Sequence, residues 1–292
     1  MHGFKKRAFQ LSNRMKEIFY ILWLGIPTIW ITHSRRDVPV IVSMTSYPGR
    51  IRTTWIAVET LLRQTVKPQH IILVLNEQEF PNRVIPISLE RRQRRGLEVM
   101  WVEKNGRSYD KLLPVRKTFP EATIVTCDDD KFFPRDLIES LYEASQLNSS
   151  AIIGSRGWKI TLSSDTTVNY GVNWSRASAG DAGADILTPG GNGCLYPSDS
   201  LHPGVDSLDA ALEICPTADD IWFWSAALKN QTSFLCLGMP PHRPITTSRS
   251  AGALSAINIS ENDTEFQAAL DYFKIRDFVI DTISHRARTT DA

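Results

Sequence analysis

The 292-residue sequence lacks several features that mark specialised classes of protein. Its formal net charge is only +1, so it has no excess of basic charge for a nucleic-acid partner. Hydrophobic residues make up 42% and charged residues 22% of the chain, which is a globular and not a disordered composition. No internal repeat or low-complexity segment is present. These absences leave a globular protein of one large or two small domains.

Cysteine is also scarce, and its spacing matches no known metal or redox motif. The four cysteines are far apart, with no CxxC pair, which favours reduced, structural thiols. They are Cys127, Cys194, Cys215 and Cys236. The alternative is two disulfides in an oxidising compartment. Five Asn-x-Ser/Thr triplets, the acceptor pattern for glycosylation, are compatible with that alternative. These triplets begin at Asn148, Asn173, Asn230, Asn258 and Asn262.

The sequence also lacks a long uninterrupted hydrophobic run. Residues 18–32 are apolar but are interrupted by Gly25 and Pro27, and fifteen residues are short where a spanning helix needs about 20. Basic residues precede this stretch, and Trp23 and Trp30 lie within it, a pattern typical of a helix at the membrane surface. We therefore expect residues 1–37 to form a peripheral membrane arm. The alternatives are a helix packed on the core and a short signal-anchor that spans once.

From residue 38 onward, strand-like and helix-like segments alternate. The hydrophobic pattern predicts strands at 38–44, 70–75, 97–102 and 122–127, and helices at 55–64, 88–95, 111–119 and 134–147. This alternation predicts an α/β fold with a mostly parallel sheet flanked by helices. Periodicity is lost over residues 163–193, where we expect loops that face an acceptor. Further predictions are a strand at 194–196, a helix at 218–228, a strand at 233–237 and a last helix at 263–278, opened by Ser260 and Asp263, with a frayed tail from Ser284.

Three consecutive aspartates end the predicted strand at 122–127. Asp128, Asp129 and Asp130 repel one another, and keeping them ionised beside an apolar strand end is costly unless a cation binds there. Hard Mg²⁺ or Mn²⁺ prefers carboxylate oxygens and shares its other positions with water and phosphates. In open α/β sheets, such a site belongs at the carboxyl ends of the strands. The alternative is a solvated acidic turn that caps the next helix.

Six short segments occur in a characteristic order along the chain. They are SMTSYPGRI (43–51), SYDKLLPV (108–115), VTCDDDKFFP (125–134), SRGWKI (155–160), GGNGCLYP (190–197) and PTADDIWFW (216–224). In order and spacing they resemble bacterial glycosyltransferases of the GT-A fold, in particular family-2-like enzymes of capsule and lipopolysaccharide assembly. The resemblance covers residues 38–237 and implies a catalytic domain at 38–240 and a helical extension at 241–292. The N-terminal arm and the region after residue 238 lie outside it.

The resemblance also implies roles for individual residues. Those on the nucleotide are Thr45 and Ser46 at the base or ribose, Arg50 near the diphosphate, Lys111 by the nucleotide, and Asp129 by the ribose or donor. Asp128 and Asp130 stand where the family's DxD carboxylates meet the metal, and His242 is a candidate third ligand. Asp220 would be the catalytic base and Asp219 an acceptor ligand, although the two could exchange roles. The alternatives are a surface lysine for Lys111, helix-capping acids for Asp219 and Asp220, and plain loop residues for His202 and His242.

These implications together predict a metal-dependent, inverting glycosyltransferase with Mn²⁺ or Mg²⁺ as cofactor. Its partners would be a nucleotide-sugar donor, a glycan or lipid-linked acceptor, and the cytoplasmic face of a membrane. A sugar-nucleotide nucleotidyltransferase is one alternative. Such an enzyme would need a glycine-rich loop after the first strand, whereas this sequence has TSYPGR there, with a single glycine. A sugar-binding module that has lost turnover is another. An aspartyl-nucleophile phosphatase would place its acids after the first strand and not the fourth.

Overall fold

The computed structural model describes residues 17–26, 36–164, 166–246 and 258–290. The chain divides into two compact units, of which the first ends at Arg36 and the second begins at Asp37. In the first unit, helix α1 (residues 17–25) carries an exposed apolar stripe. Its members, together with the residue after the helix, are Ile18, Phe19, Leu22, Trp23 and Ile26. Within the described ranges, no helix is both long and apolar enough to cross a membrane. The basic residues before position 17 and Trp30 lie outside the described residues, so the membrane arm stays a prediction.

The second unit contains the sheet and the remaining helices. Its strands are β1 (Asp37–Thr45), β2 (Lys67–Asn76), β3 (Leu97–Val102), β4 (Thr123–Cys127), β5 (Lys131–Phe132), β6 (Ile152–Gly154), β7 (Trp158–Lys159), β8 (Ser175–Arg176), β9 (Ala182–Gly183), β10 (Ile186–Leu187), β11 (Asn192–Tyr196), β12 (Phe234–Cys236) and β13 (Arg243–Pro244). Its helices are α2 (Ile51–Leu62), α3 (Ile87–Gln93), α4 (Leu113–Thr118), α5 (Leu137–Leu147), α6 (Leu208–Ile214), α7 (Asp219–Lys229), α8 (Asn258–Tyr272) and α9 (Arg276–Thr290). Two 3₁₀ turns span Arg107–Lys111 and Pro203–Asp206.

The main sheet has the strand order β3-β2-β1-β4-β11-β6-β12-β9. Strands β3, β2, β1 and β4 run parallel, whereas β11 pairs antiparallel with both β4 and β6. The middle of β1 and most of β2 are buried, as expected for parallel strands that are covered on both faces. The predicted α/β fold with a mostly parallel sheet flanked by helices is confirmed. Two small sheets, β10-β7-β8 and β13-β5, lie outside the main one.

A buried ion cluster joins α2 to α3. Glu59 has no exposed surface, and its carboxylate accepts hydrogen bonds from the Nε atoms of Arg63 at 2.6 Å and Arg92 at 3.0 Å and from Nη1 of Arg95 at 2.7 Å. The Arg92 guanidinium also lies over the Trp55 ring, 4.4 Å from its centroid. Four arginines between positions 91 and 95 form a basic run, and it is not a purely solvated face, because Arg92 is buried in this cluster. The cluster holds α2 in place, and the loop before α2 carries Ser46 and Arg50.

Helix α7 is buried almost all round and forms part of the main core. Its two tryptophans each satisfy their ring N–H group, since Trp222 donates to the carbonyl of Val205 and Trp224 to that of Ile186, both at 3.1 Å. A helix that is apolar on every face belongs in a core and not at a surface. The start of α7 is therefore a rigid platform for the acids that it carries.

The C-terminal region differs from the sequence-based prediction. The single helix expected at 263–278 is wrong, because α8 ends at Tyr272 and α9 starts at Arg276, with Lys274 at a left-handed φ of 54° between them. Asp263 does not open a helix but lies inside α8, where its carboxylate accepts from the backbone N–H of Tyr170 at 2.7 Å. The tail expected to fray from Ser284 is helical to Thr290. The segment at 163–193 is loop-rich, as expected, but contributes the short strands β8, β9 and β10.

Candidate active site

The carboxyl ends of β1, β2 and β4 meet at a cavity of about 560 Å³. Four chain segments with predicted roles line it, namely the loop after β1, the 3₁₀ turn that ends at Lys111, the aspartates after β4 and the start of α7. The lining residues with predicted roles are Thr45, Ser46, Arg50, Lys111, Asp128, Asp129, Asp130, Asp219 and Asp220. The structure thus brings together residues that are up to 175 positions apart in the chain. A ligand site at this edge is the general expectation for an open α/β sheet.

Asp128 lies between two lysine side chains. Its Oδ1 is 3.1 Å from Nζ of Lys111 and its Oδ2 is 2.8 Å from Nζ of Lys131. Burial disfavours the charged form, but the two ammonium groups outweigh it and hold the pKa of Asp128 well below its usual range. The carboxylate is therefore ionised throughout the physiological pH range.

Asp129 points into the protein and anchors the loop after β1. Its carboxylate accepts hydrogen bonds from the Ser46 hydroxyl and, at 3.0 Å, from Nη1 of Arg50. Arg50 also lies 3.1 Å from Oδ2 of Asp130. Burial raises the pKa of Asp129 above its usual value, although the bonds from Ser46 and Arg50 oppose that shift. The repulsion within the acidic triplet is thus offset by the protein's own cations, so the acids alone are not evidence for a metal.

Lys111 connects the acidic triplet to α7. It is almost fully buried, and its Nζ lies 3.1 Å from Asp128 and 3.2 Å from Oδ2 of Asp219. The Asp219 contact has ion-pair distance without hydrogen-bond geometry, and that oxygen has no other partner in the described part of the chain. Burial opposes the charged amine, but the surrounding aspartates raise the pKa of Lys111 well above its ordinary value. Lys111 is therefore not the surface lysine of the alternative interpretation.

The start of α7 is held from below by α8. Glu265 accepts from the hydroxyl of Thr217 at 2.6 Å and from the backbone N–H of Ala218 at 2.9 Å. This contact replaces the usual side-chain cap and leaves the acids of the first turn free for other partners. Asp219 and Asp220 are therefore not simple capping residues.

Asp220 has the electrostatic environment of a general base. Its Oδ1 accepts a 2.7 Å hydrogen bond from the backbone N–H of Gly190. Burial, followed by repulsion from Asp219, raises the pKa of Asp220 to about 7, while Lys111 and the Gly190 hydrogen bond act in the opposite direction. A base whose pKa is close to the working pH is the most effective proton acceptor.

The glycine turn before β11 makes room for Asp128. The backbone N–H of Asp128 donates to the carbonyl of Gly191 at 3.0 Å, and a Cβ atom on Gly191 would lie 1.8 Å from Oδ2 of Asp128. A side chain at position 191 would therefore displace the carboxylate. Gly193, by contrast, is required by its backbone, which has a φ of +93°.

His242 is not part of this cavity. Its Nε2 donates to the carbonyl of Asn192 at 2.7 Å, and its ring packs edge-on against Phe133. Burial lowers its pKa. Across the residues that the structure describes, no three His, Cys, Asp or Glu side chains are grouped to hold a metal, so His242 does not join Asp128 and Asp130. His202 accepts from the N–H of Gly204 at 3.1 Å, as a loop residue would.

The carboxylate groups of this cavity are nevertheless suitable ligands for a hard divalent ion. Asp128 and Asp130 both present carboxylate oxygens to the cavity, which are the ligands that Mg²⁺ and Mn²⁺ prefer. These ions need only one or two protein carboxylates when phosphates supply the rest. Because both Asp128 oxygens already contact lysines, an ion there would share the carboxylate with Lys131 or displace it.

The residues at one corner of the cavity were not predicted from the sequence. This corner is lined by Asn76, Glu79, Asn105, Arg107 and Asp110. Asn76 could have been found, because it directly follows the apolar run of β2 as Asp128 follows that of β4. Asp110 could not, since its burial, which raises its pKa to about 7, depends on the 3₁₀ turn that places it against the backbone N–H of Gly106.

Comparison with known proteins gives only distant similarity. No family model matches the sequence, and no curated protein matches it. The structure is similar to that of S. aureus TarS 1-349 in complex with UDP-GlcNAc, with 12% identity and a TM-score of 0.49 over 82% of this chain and 66% of that one. It is also similar to a longer S. aureus TarS structure, with 13% identity and a TM-score of 0.45 over 70% of this chain and 36% of that one. The chain thus spans just under two thirds of the first and about a third of the second. Likenesses this distant carry no argument about function.

Proposed function

We propose that the chain is a nucleotide-sugar-dependent glycosyltransferase. One observation supports this most directly: a single cavity holds both a carboxylate that two lysines keep ionised and a carboxylate whose pKa is raised to about 7. Asp128 is the first and Asp220 the second, and Lys111 lies between Asp128 and the neighbour of Asp220. Transfer of a sugar needs both functions, because one group must hold a leaving diphosphate and another must accept a proton.

The donor diphosphate would bind beside Asp128 and Asp130. Departure of a nucleoside diphosphate develops negative charge, which fixed positive groups stabilise without reorganising. Lys131 and Arg50 both line the cavity beside these aspartates and would supply that charge. A bound Mn²⁺ or Mg²⁺, held by Asp128 and Asp130, would neutralise further charge on the same diphosphate. The loop at residues 45–50, which Asp129 holds, would contact the nucleoside.

The acceptor hydroxyl would be deprotonated by Asp220. Its carboxylate is oriented by the Gly190 N–H group, and Asp220 lines the cavity, so a hydroxyl bound there can approach it. Attack by that hydroxyl in one displacement inverts the configuration at the sugar, and we propose this inverting course. Asp219 would bind the acceptor or orient Lys111. A pKa of about 7 at Asp220 favours an enzyme over a sugar-binding module, since binding alone has no need of a base.

The acceptor would be a glycan or a lipid-linked glycan of surface polysaccharide synthesis, handled at the cytoplasmic face of a membrane. The exposed apolar stripe of α1 supports attachment to such a surface, because a helix with one apolar face lies in the interfacial plane. Deletion of residues 1–33 should release the protein from membranes while leaving the sheet folded. Resistance of the intact protein to alkaline extraction would instead indicate an anchor that spans the bilayer. Retention of the truncated protein in the membrane pellet would place the attachment elsewhere in the chain.

A thermal-shift panel tests the donor site. Nucleoside diphosphates should raise the melting temperature with Mn²⁺ present, because a ligand that binds the folded state alone stabilises it by mass action. Asp130→Asn should abolish the Mn²⁺-dependent part of the shift. Asp136→Asn is the matched control, since Asp136 is exposed and caps no backbone group with its side chain. Unchanged metal-dependent binding in folded Asp130→Asn would overturn the metal site, and no shift with any nucleotide would overturn the donor site.

A further inference from the structure

The segment SRGWKI at residues 155–160 has no role in the proposed chemistry but begins at the edge of the cavity. The hydroxyl of Ser155 donates to the carbonyl of Asn192 at 2.6 Å, and its N–H group donates to the carbonyl of Gly193 at 2.9 Å. Asn192 lines the cavity. The chain therefore leaves the cavity wall at Ser155 and continues directly into β7.

The segment that enters β7, together with β8, contributes two arginines and a tryptophan to one surface of the protein. Trp158 pairs with Arg176 across the antiparallel ladder, and the N–H of Ala177 donates to the carbonyl of Gly157 at 3.0 Å, so the pairing continues back towards Arg156. Arg176 therefore lies directly across from Trp158, at the distance of a cross-strand pair. Arg156 precedes β7 by two residues, and its charge and that of Arg176 act on each other, so the two arginines lie near one another. Arg176 is exposed, and Arg156 and Trp158 are half-buried.

These two arginines differ from Arg50, Lys111 and Lys131 in having no acidic partner in the described ranges. Arg50, Lys111 and Lys131 each contact an aspartate. In the described ranges, no carboxylate lies within 4.0 Å of either Arg156 or Arg176. Asp181, which follows β8, uses its carboxylate to accept from the backbone N–H of Ser178.

The positive charge of this surface has no ion-pair partner in the described part of the chain, and Arg156 directly follows Ser155 at the cavity wall. Burial, followed by repulsion from Arg176, lowers the pKa of Arg156. The charges of Lys131 and Arg156 both act on His242, so the two cations approach the same side chain from the cavity and from the β7 segment. Two guanidinium groups that repel each other beside an aromatic ring are stabilised when an anion lies between them.

We propose that Arg156, Trp158 and Arg176 form an acceptor subsite for a sugar that carries a phosphate or a carboxylate. The arginines would hold the anionic group and the indole would pack against the apolar face of the sugar ring. That this sugar is the acceptor rests on the proposed function, because the assignment depends on the position of this surface beside the proposed active-site cavity. The subsite itself requires only that an anionic sugar binds there.

Ligand-observed NMR at low ionic strength tests this subsite with three probes, glucose 6-phosphate, glucuronate and glucose. The full chain is used, together with the nucleoside diphosphate that stabilises it best, so that the diphosphate site is filled. Glucose 6-phosphate, glucuronate or both should bind, and glucose should not. Arg156→Gln/Arg176→Gln should weaken that binding about tenfold, and added salt should weaken it in the wild type. Arg91→Gln/Arg94→Gln is the matched control, because it removes the same charge from exposed positions of the α3 region.

The outcomes separate the subsite from the donor site. Binding of the phosphorylated sugar alone identifies a phosphate-bearing acceptor, and binding of glucuronate alone a carboxylate-bearing one. Equal binding of glucose, or an equal loss in the Arg91→Gln/Arg94→Gln variant, would overturn the proposal. Arg176→Gln alone is a second variant that cannot fail through misfolding of a buried position, and it should weaken binding in the same direction. If no nucleoside diphosphate binds but the anionic sugars do, the proposed function fails and the anion subsite stands.

Discussion

Asp128 and Asp220 line the same cavity with the same side chain, yet their surroundings shift their pKa values in opposite directions. Asp128 contacts two ammonium groups, which keep it ionised despite its burial. Asp220 has one backbone N–H group and an acidic neighbour, and its pKa rises to about 7. The comparison shows that charge partners decide the role, since one carboxylate can only hold positive charge and the other can take up a proton. Lys111 contributes to the difference, because its Nζ lies 3.1 Å from Asp128, whereas it lowers the pKa of Asp220 from beyond ion-pair distance in the described structure.

The strongest test removes the proton acceptor. Asp220→Asn should lower turnover by about 10²–10⁴-fold, the usual contribution of a general base, while nucleoside diphosphate affinity stays unchanged. The measurement is transfer of a labelled sugar at saturating donor, beside a binding titration. The variant should also be more stable at pH 8 than the wild type. A carboxyl pKa raised from 3.8 to about 7 in the folded state costs stability as pH rises through that interval, and asparagine removes this cost. Normal turnover in Asp220→Asn would leave α7 with no catalytic role.

The next test removes the cation that separates the two aspartates. Lys111→Met leaves Asp128 and Asp219 without their shared partner, and we expect a loss of about 3 kcal/mol in the free energy of unfolding, as when one member of a buried ion pair is deleted. Urea unfolding at pH 7 measures this loss. Lys111→Arg keeps the charge and should recover most of it. If Lys111→Met is as stable as the wild type, the lysine is not the link between the two acids.

The smallest effect is a shift in the pH profile. Because the base works when deprotonated, activity should rise about tenfold between pH 6 and pH 8 if the pKa of Asp220 is about 7. Asp219→Asn removes the repulsion that raises this pKa, so the acidic limb of the profile should move to lower pH. Its maximal rate at high pH should change less than that of Asp220→Asn. A limb that does not move would assign the titration to another group, with Asp110 as the first candidate because its pKa is also raised to about 7.

The sequence could predict the parts of the site that depend on neighbours in the chain. The run before Asp128 indicated a buried strand, and the predicted bounds of β3 coincide with the structure at Leu97–Val102. The acidic triplet and the acids at the start of α7 could be placed on the correct elements because each directly follows or begins an apolar run. The strand ends then fall at one edge of the sheet by the general rule for parallel strands.

The partners of these acids could not be predicted, because they come from distant parts of the chain. Ser46 is 83 positions from Asp129, and Gly190 is 30 positions from Asp220. The triplet was expected to need a metal cation, whereas the fold brings Lys111 and Arg50 to it from distant positions, and Lys131, which directly follows it in the chain, adds a third cation. The single last helix was wrong for a related reason, since nothing in the hydrophobic pattern shows that Lys274 adopts a left-handed backbone.

The close approach of Gly191 to Asp128 limits which amino acids position 191 can accept. Its backbone is not in the left-handed region, so a conformational criterion would accept any amino acid at this position. The Asp128 carboxylate occupies the volume that a Cβ would need. In a library of single substitutions selected for folding alone, position 191 should therefore favour glycine, and Asp128→Gly should relax that restriction. The two positions are expected to change together over generations, although neither one would reveal the other in a list of conformational preferences.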